Sequence, residues 1–295
     1  MSKKNLIITL LFALMIFAVN LGKVAEAKRI ISLAPNITEI LFILGADKQL
    51  VGVTENCDFP KEAKKIEKIG LFGSPNLEKI ISLKPDLVLA ANFGQNTAIL
   101  RLKSMGVKTI VLSPQNIKDI LDNIESIGGI IGRKKTAEIL VGKMQMRINE
   151  IKNKVFGLHR PKVLVIIWVN SNSLMTAGKK SFINELISIS GGKNIAGDIN
   201  VDYPTLNPEF IMAKNPEIVI FGDSLNNEES IRCFLAQPGS KNIRAVKSGR
   251  IYYKGINPDL FLRPGPRIIN GLEEIAKTLH PEIFPFIMDE RRKIK

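Results

Sequence analysis

The stretch NLEKIISLKPDLVL at residues 76–89 returns 131 residues later as NPEFIMAKNPEIVI at residues 207–220, aligned without a gap. Asn76/Asn207, Glu78/Glu209, Ile80/Ile211, Pro85/Pro216 and Val88/Val219 are identical, while Asp86/Glu217, Leu87/Ile218 and Leu89/Ile220 match in kind. Both copies read the same way. Asparagine can cap a short helix by accepting a bond from a free first-turn N–H. The glutamate two residues on sits where the helix dipole favours negative charge. Proline then ends the helix and launches an apolar strand. A repeat of this unit predicts two similar α/β halves. A weaker echo links the segment from Glu39 to Gly45 with that from Glu185 to Gly191.

Outward from the repeat, apolar strands alternate with amphipathic helices. Lys28–Leu33, Leu50–Val53, Leu87–Ala90 and Lys108–Leu112 read as strands in the first half. Val163–Ile167 starts the second. Such alternation implies parallel sheets covered on both faces. Between Arg133 and Phe156 the pattern changes: Ala137, Leu140, Met144, Ile148, Ile151 and Val155 recur at spacings of three and four. That spacing predicts one long amphipathic helix of about 36 Å. The expected organisation is an N-terminal lobe over 28–132, a linking helix over 133–158 and a C-terminal lobe over 159–295. The fold class is α/β, with two Rossmann-like lobes and central parallel sheets.

Residues 1–27 stand apart. Lys3 and Lys4 precede an apolar run from Leu6 to Val19, and the segment exits through Ala25-Glu26-Ala27. This is the pattern of a secretory signal peptide. The run stops at Asn20, short of the roughly 20 apolar residues a spanning helix needs. The expectation is export with cleavage into the periplasm, without a lipid anchor, because no cysteine lies near the exit. Of 295 residues, 45% are apolar and 24% charged, which fits a globular chain with a sizeable core. The net charge of +14 favours anionic ligands or surfaces. Its lysines and arginines are scattered, with no nucleic-acid motif, so no nucleic-acid partner is expected.

No catalytic constellation is visible: there is no Gly-x-Ser-x-Gly elbow, phosphate loop or zinc motif. His159 and His280 are the only histidines, too few for a multi-His metal centre, so no metal site and no cofactor are expected. An exported α/β hydrolase or metal-dependent enzyme is the competing class. Strand-end positions point instead to a ligand crevice, since the carboxyl ends of parallel strands face it. Trp168 ends a strand, and Tyr203 and Phe72 lie in polar or glycine-flanked loops. Aromatic faces of this kind suit a large flat ligand. Arg263 and Arg267 flank Pro264-Gly265-Pro266 at the start of the last long helix, an arrangement suited to clamping an anion.

Read as a whole, the chain resembles the class III substrate-binding proteins of ABC importers, the family that binds cobalamin, ferric siderophores and haem. The resemblance rests on ISLAPNITE at 31–39, VGVT at 51–54 with CDFP at 57–60, LKPDLV at 83–88, AVKSGRIY at 245–252 and RPGPR at 263–267. It implies a ligand cleft between the lobes and one glutamate on each lobe, here Glu78 and Glu209, docking into arginines of a permease dimer that works with ATPase subunits. In the cobalamin branch the matching cleft positions are Asn56, Phe72, Ala91, Trp168, Tyr203, Asp259 and Arg263. Asn56 and Ala91 stand where that branch can use aromatics. The expected function is capture of cobalamin or a related corrinoid by a monomer, with a ferric siderophore or haem as the alternative cargo. Cys57 and Cys233 are candidates to pair if export reaches an oxidising space, a bridge that would tie the lobes together.

Overall fold

A computed structural model describes residues 27–92, 96–170, 173–222 and 227–284. The expected leader, apart from Ala27, lies outside these residues. No helix among the described residues is long and apolar enough to cross a membrane.

The first half runs β1 (Ile30–Ser32), α1 (Pro35–Ile43), β2 (Leu50–Val53), β3 (Gly70–Leu71), β4 (Ser74–Pro75), α2 (Leu77–Ser82), β5 (Leu87–Ala91), α3 (Asn96–Ser104), β6 (Thr109–Leu112) and α4 (Ile117–Ile130). Helix α5 (Lys134–Lys154) follows. The second half runs β7 (Lys162–Val169), β8 (Leu174–Thr176), α6 (Phe182–Ile189), β9 (Lys193–Asn194), β10 (Thr205–Leu206), α7 (Pro208–Lys214), β11 (Ile218–Phe221), α8 (Asn227–Ala236), α9 (Arg244–Lys247), β12 (Ile251–Tyr252), α10 (Asp259–Leu262) and α11 (Ile268–Leu279).

The first sheet, ordered β2-β1-β5-β6, is parallel throughout. The second, ordered β10-β8-β7-β11-β12 with β9 also on β7, is parallel at its centre. Its β8 and β10 run antiparallel to their neighbours. That departs from the all-parallel expectation for a local reason. Asn170 N–H donates to the Ser173 carbonyl at 2.9 Å, so β7 returns directly into β8 with no room for a helical crossover.

The repeat performs matching work in both halves. Asn76 Oδ1 accepts from Lys79 N–H at 3.0 Å, and Asn207 Oδ1 from Phe210 N–H at 2.9 Å, capping α2 and α7. Each helix ends through a left-handed residue just before its proline, Lys84 at φ 47° and Asn215 at φ 49°. Proline at the next position disfavours right-handed α there, and the chain turns through the left-handed region instead. The following acids pin the neighbouring strand's start. Asp86 Oδ2 accepts from the N–H groups of Lys28 and Arg29, both at 2.9 Å, and Glu217 Oε1 from that of Lys162 at 3.2 Å.

The long helix covers Lys134–Lys154, slightly inside the expected span, and buries Ala137, Met144, Ile148 and Ile151. It packs on α4 from the first half and on α6 and α11 from the second. Through it, one apolar cluster runs from Ile30 and Leu89 past Met144 and Ile148 to Val165 and Leu272. Both cysteines are free thiols, which corrects the candidate bridge. Cys57 is buried in the first half with Thr38 Oγ1 donating to its sulfur at 3.1 Å, while Cys233 packs in the second half's own cluster. Burial raises the Cys57 thiol above its usual range, against hydrogen bonds with Thr38 and Thr54 that lower it.

Candidate functional site: a cleft between the two sheets

A cleft of about 440 Å³ opens between the carboxyl ends of both sheets. Pro35 and Asn36 follow β1, Ala91 ends β5 with Asn92 after it, and Leu112 ends β6 with Ser113 to Gln115 after it. Ile167 of β7, Met175 of β8 and the first residues of α6 face them. The position is the one expected of a ligand crevice in parallel α/β sheets.

Phe72, Tyr203 and Arg263 all line this cleft. Phe72 is carried by the β3–β4 turn. Gly70 makes that turn feasible: its φ is 97°, and a Cβ there would come within 2.9 Å of Asn76 N. Asn56 Oδ1 accepts from Phe72 N–H at 3.0 Å, so the Asn56 carbonyl oxygen holds the turn. Burial pushes the Tyr203 hydroxyl above the usual phenol range, opposed by a hydrogen bond with Ser181.

Trp168 is not among the lining residues and stands 47% exposed. Ile167 presents its side chain to the cleft instead. Successive strand residues face opposite ways, so one place along β7 separates a wall from an outer surface. Asp259 is also outside the lining and acts through its neighbour, its Oδ2 lying 2.9 Å from Arg263 Nη2.

The arginines are not free to clamp an anion, which corrects the reading of the RPGPR segment. Arg263 Nη1 donates to Asp58 Oδ1 at 2.7 Å and to Glu39 Oε1 at 3.4 Å. Arg267 grips Glu39 through Nε at 2.8 Å and Nη2 at 2.6 Å, and its guanidinium lies 3.9 Å from the centre of the Phe59 ring. Glu39 is almost fully buried, its side chain 2% exposed, and such a carboxylate needs this pairing. Burial would raise the Asp58 carboxyl, but the hydrogen bond and charge of Arg263 outweigh it and hold Asp58 below its ordinary value. Burial likewise opposes the Arg263 charge, and Asp58, Asp259 and Glu39 together hold it more firmly protonated than usual.

Three acids around Arg263 leave the cleft walls dominated by apolar surface and neutral amides. Among the described residues, Asn36, Asn56, Asn92 and Gln115 supply the amides, with Lys180 and Asp202 the remaining charged lining residues. Sequence reasoning missed Asn36, Asn92, Gln115 and Met175. The only signal for the three amides was a place shortly after an apolar strand, and Met175, inside β8, gave none.

Glu78 and Glu209 lie apart from the cleft lining, both exposed in the first turns of α2 and α7. His159 is exposed, 3.4 Å from Glu217. His280 is buried at the end of α11 against Gly191.

The periplasmic binding protein family model matches residues 30–255. The chain is 36% identical to YvrC of Bacillus subtilis, an uncharacterized ABC transporter substrate-binding lipoprotein, over 88% of this chain and 82% of that one. It is 27% identical to the vitamin B12-binding protein of Pectobacterium carotovorum, over 86% of this chain and 89% of that one. Its fold matches the crystal structure of a possible iron-binding periplasmic solute-binding protein from Staphylococcus epidermidis at a TM-score of 0.74, with 32% identity over 86% of this chain and 99% of that one. The chain therefore belongs to the class III periplasmic binding proteins, among the substrate-binding proteins of ABC importers.

Proposed function

We propose that the chain captures cobalamin or a related corrinoid in the cleft and hands it, as a monomer in an exported compartment, to an ABC permease with its ATPase subunits. Lobes 28–132 and 159–295 form the two walls, and the helix of 133–158 holds them. The observation that carries the reading is the character of the cleft. Apolar faces from Phe72, Ile167 and Leu262 sit beside four side-chain amides, and Arg263 is already neutralised by acids. A corrin ring edged with carboxamides offers flat apolar surface and amide partners to such walls. Haem, whose two carboxylates ask for unpaired cations, meets only Lys180 and the acid-paired Arg263 as bases among the described lining residues. The vitamin B12-binding relative supports the same cargo.

Phe72 and Tyr203 provide the stacking surface, and Arg263 with Asp259 behind it shapes one wall. Glu78 and Glu209, matched by the repeat, dock the two lobes on a twofold permease through charge-assisted bonds to arginine. A ferric chelate is the second reading, favoured by the iron-binding neighbour. Equilibrium titration and visible spectra of the purified protein mixed separately with cyanocobalamin, haemin and a ferric hydroxamate test the choice. Retention of the corrinoid spectrum through gel filtration, with weaker retention of the other two, is expected. Retention of haemin or the ferric hydroxamate without the corrinoid would overturn it.

A further inference from the structure

Glu39 and Glu185 occupy corresponding places. Each lies on the first helix of its half, α1 or α6, six residues before a glycine with positive φ: Gly45 at 72° and Gly191 at 81°. Each carboxylate leaves its own half. Glu39 crosses to Arg267, the N-cap of α11, and to Arg263 just before it. Glu185 Oε2 accepts from the N–H of Ile117, the first residue of α4, at 2.7 Å. Helices α4 and α11 each come after the last parallel strand of their half, β6 and β12. The two contacts thus correspond in place and run in opposite directions, one to guanidinium groups and the other to a backbone N–H.

We infer that Glu39 and Glu185 are positioning residues forming a reciprocal clasp, which sets the spacing of the two halves and with it the width of the cleft. Neither contact is required by the helix that carries its glutamate. Helix α4 already has a cap of its own, Asn116 Oδ1 accepting from Asp119 N–H at 2.8 Å. Glu185 satisfies a different donor, one that would turn to water if the halves separated. On the other side, separation would strand the buried Glu39 carboxylate without Arg267. Both clasps adjoin the cleft walls: Pro114, Gln115, Phe182 and Ile183 beside Glu185, Asn36 and Pro264 beside Glu39. Asn36 Nδ2 also donates to the Pro264 carbonyl at 3.1 Å, tightening the same seam. The clasp stands whatever cargo the cleft takes.

The test needs no ligand. Spin labels at Ser104→Cys and Lys241→Cys, in a Cys233→Ser background with Cys57 left buried, report the separation of the halves. Glu185→Ala should broaden the distance distribution and speed exchange of the Ile117 amide roughly tenfold, the loss of one charge-assisted bond. Exchange in β5 and β11 should stay unchanged. Glu185→Gln keeps an acceptor and should restore both readings most of the way. Glu39→Gln should broaden the distribution further when added to Glu185→Ala. If the paired variant fails to fold, Glu185→Ala alone decides. An unchanged distance distribution in Glu185→Ala would overturn the clasp, as would broadening accompanied by equal loss of protection in β5 and β11.

Discussion

Replacing Lys84 and Asn215 by glycine should move stability in opposite directions, although the two residues hold the same place in the repeat. Both are left-handed, with φ of 47° and 49°. An L-residue pays roughly 1–2 kcal/mol for that region, and lysine has no local device to reduce it. Glycine at position 84 removes the penalty and returns about 0.4–1 kcal/mol through greater freedom of the unfolded chain. The Lys84 side chain is exposed. Its backbone contacts, N–H to Ile81 carbonyl at 2.9 Å and carbonyl to Arg29 Nε at 3.2 Å, survive the change. Lys84→Gly should therefore stabilise by about 0.5–1 kcal/mol. Asparagine visits the left-handed region readily, so position 215 has less to gain. Its side chain also works: Asn215 Oδ1 accepts from Arg244 N–H at 2.8 Å, opening α9. Losing that bond costs about 1 kcal/mol, and Asn215→Gly should destabilise by about that amount. Urea unfolding followed by circular dichroism, with m-values checked for constancy, reads both. Asn215→Gly proving as stabilising as Lys84→Gly would refute the assignment of strain to one and capping to the other.

Gly191→Ala should cost well over Gly45→Ala in thermal unfolding. Both glycines have positive φ, but a Cβ at Gly191 would come within 2.5 Å of His280 Nε2 and 3.0 Å of Val155 Cβ, while nothing lies within 4 Å at Gly45. Phe72→Ala and Tyr203→Ala should each weaken cargo binding at least about thirtyfold, the scale of losing a buried aromatic anchor. Trp168→Ala, off the cleft lining, should change affinity less than about twofold, and a larger loss would return Trp168 to the site. The Glu78→Lys, Glu209→Lys double variant should bind cargo normally yet abolish import and ATPase stimulation in a reconstituted transporter; normal import would leave both residues as helix-start charges. Asp58 is held below its ordinary value, so its contribution is present above the unfolded carboxylate range and lost as pH falls through the lower folded value. Asp58→Asn should accordingly flatten the acid limb of stability, below about pH 4, and leave neutral-pH unfolding less stable than wild type.

What the sequence disclosed was what short-range rules govern. Asn76 and Asn207 cap because the side chain and the N–H it accepts from are three residues apart, and the long helix announced itself through its apolar stripe. The family motifs carried the cleft as a region, since strand ends can be counted along a chain. The facing of Trp168 escaped because a strand's pleat is fixed by pairing with β8, and that register has an irregularity between Ile166 and Trp168. The fate of Arg263 escaped because its acids at Glu39 and Asp58 lie more than two hundred residues away. A proline-flanked arginine looks the same in sequence whether it meets a ligand or a carboxylate of its own chain. The antiparallel β8 escaped for want of any helical segment to count.

The apolar cluster that threads both halves through α5 has a consequence for how this architecture can be taken apart. A duplicated unit would ordinarily be divisible, each copy a foldable module. Here Met144, Ile148 and Ile151 are shared property, packed with residues from either side. Cutting the chain before α5 would deprive the first copy of its lid, and cutting after it would leave the second with an uncovered face. The two copies should therefore melt together, and a calorimetric scan is expected to show one transition rather than two.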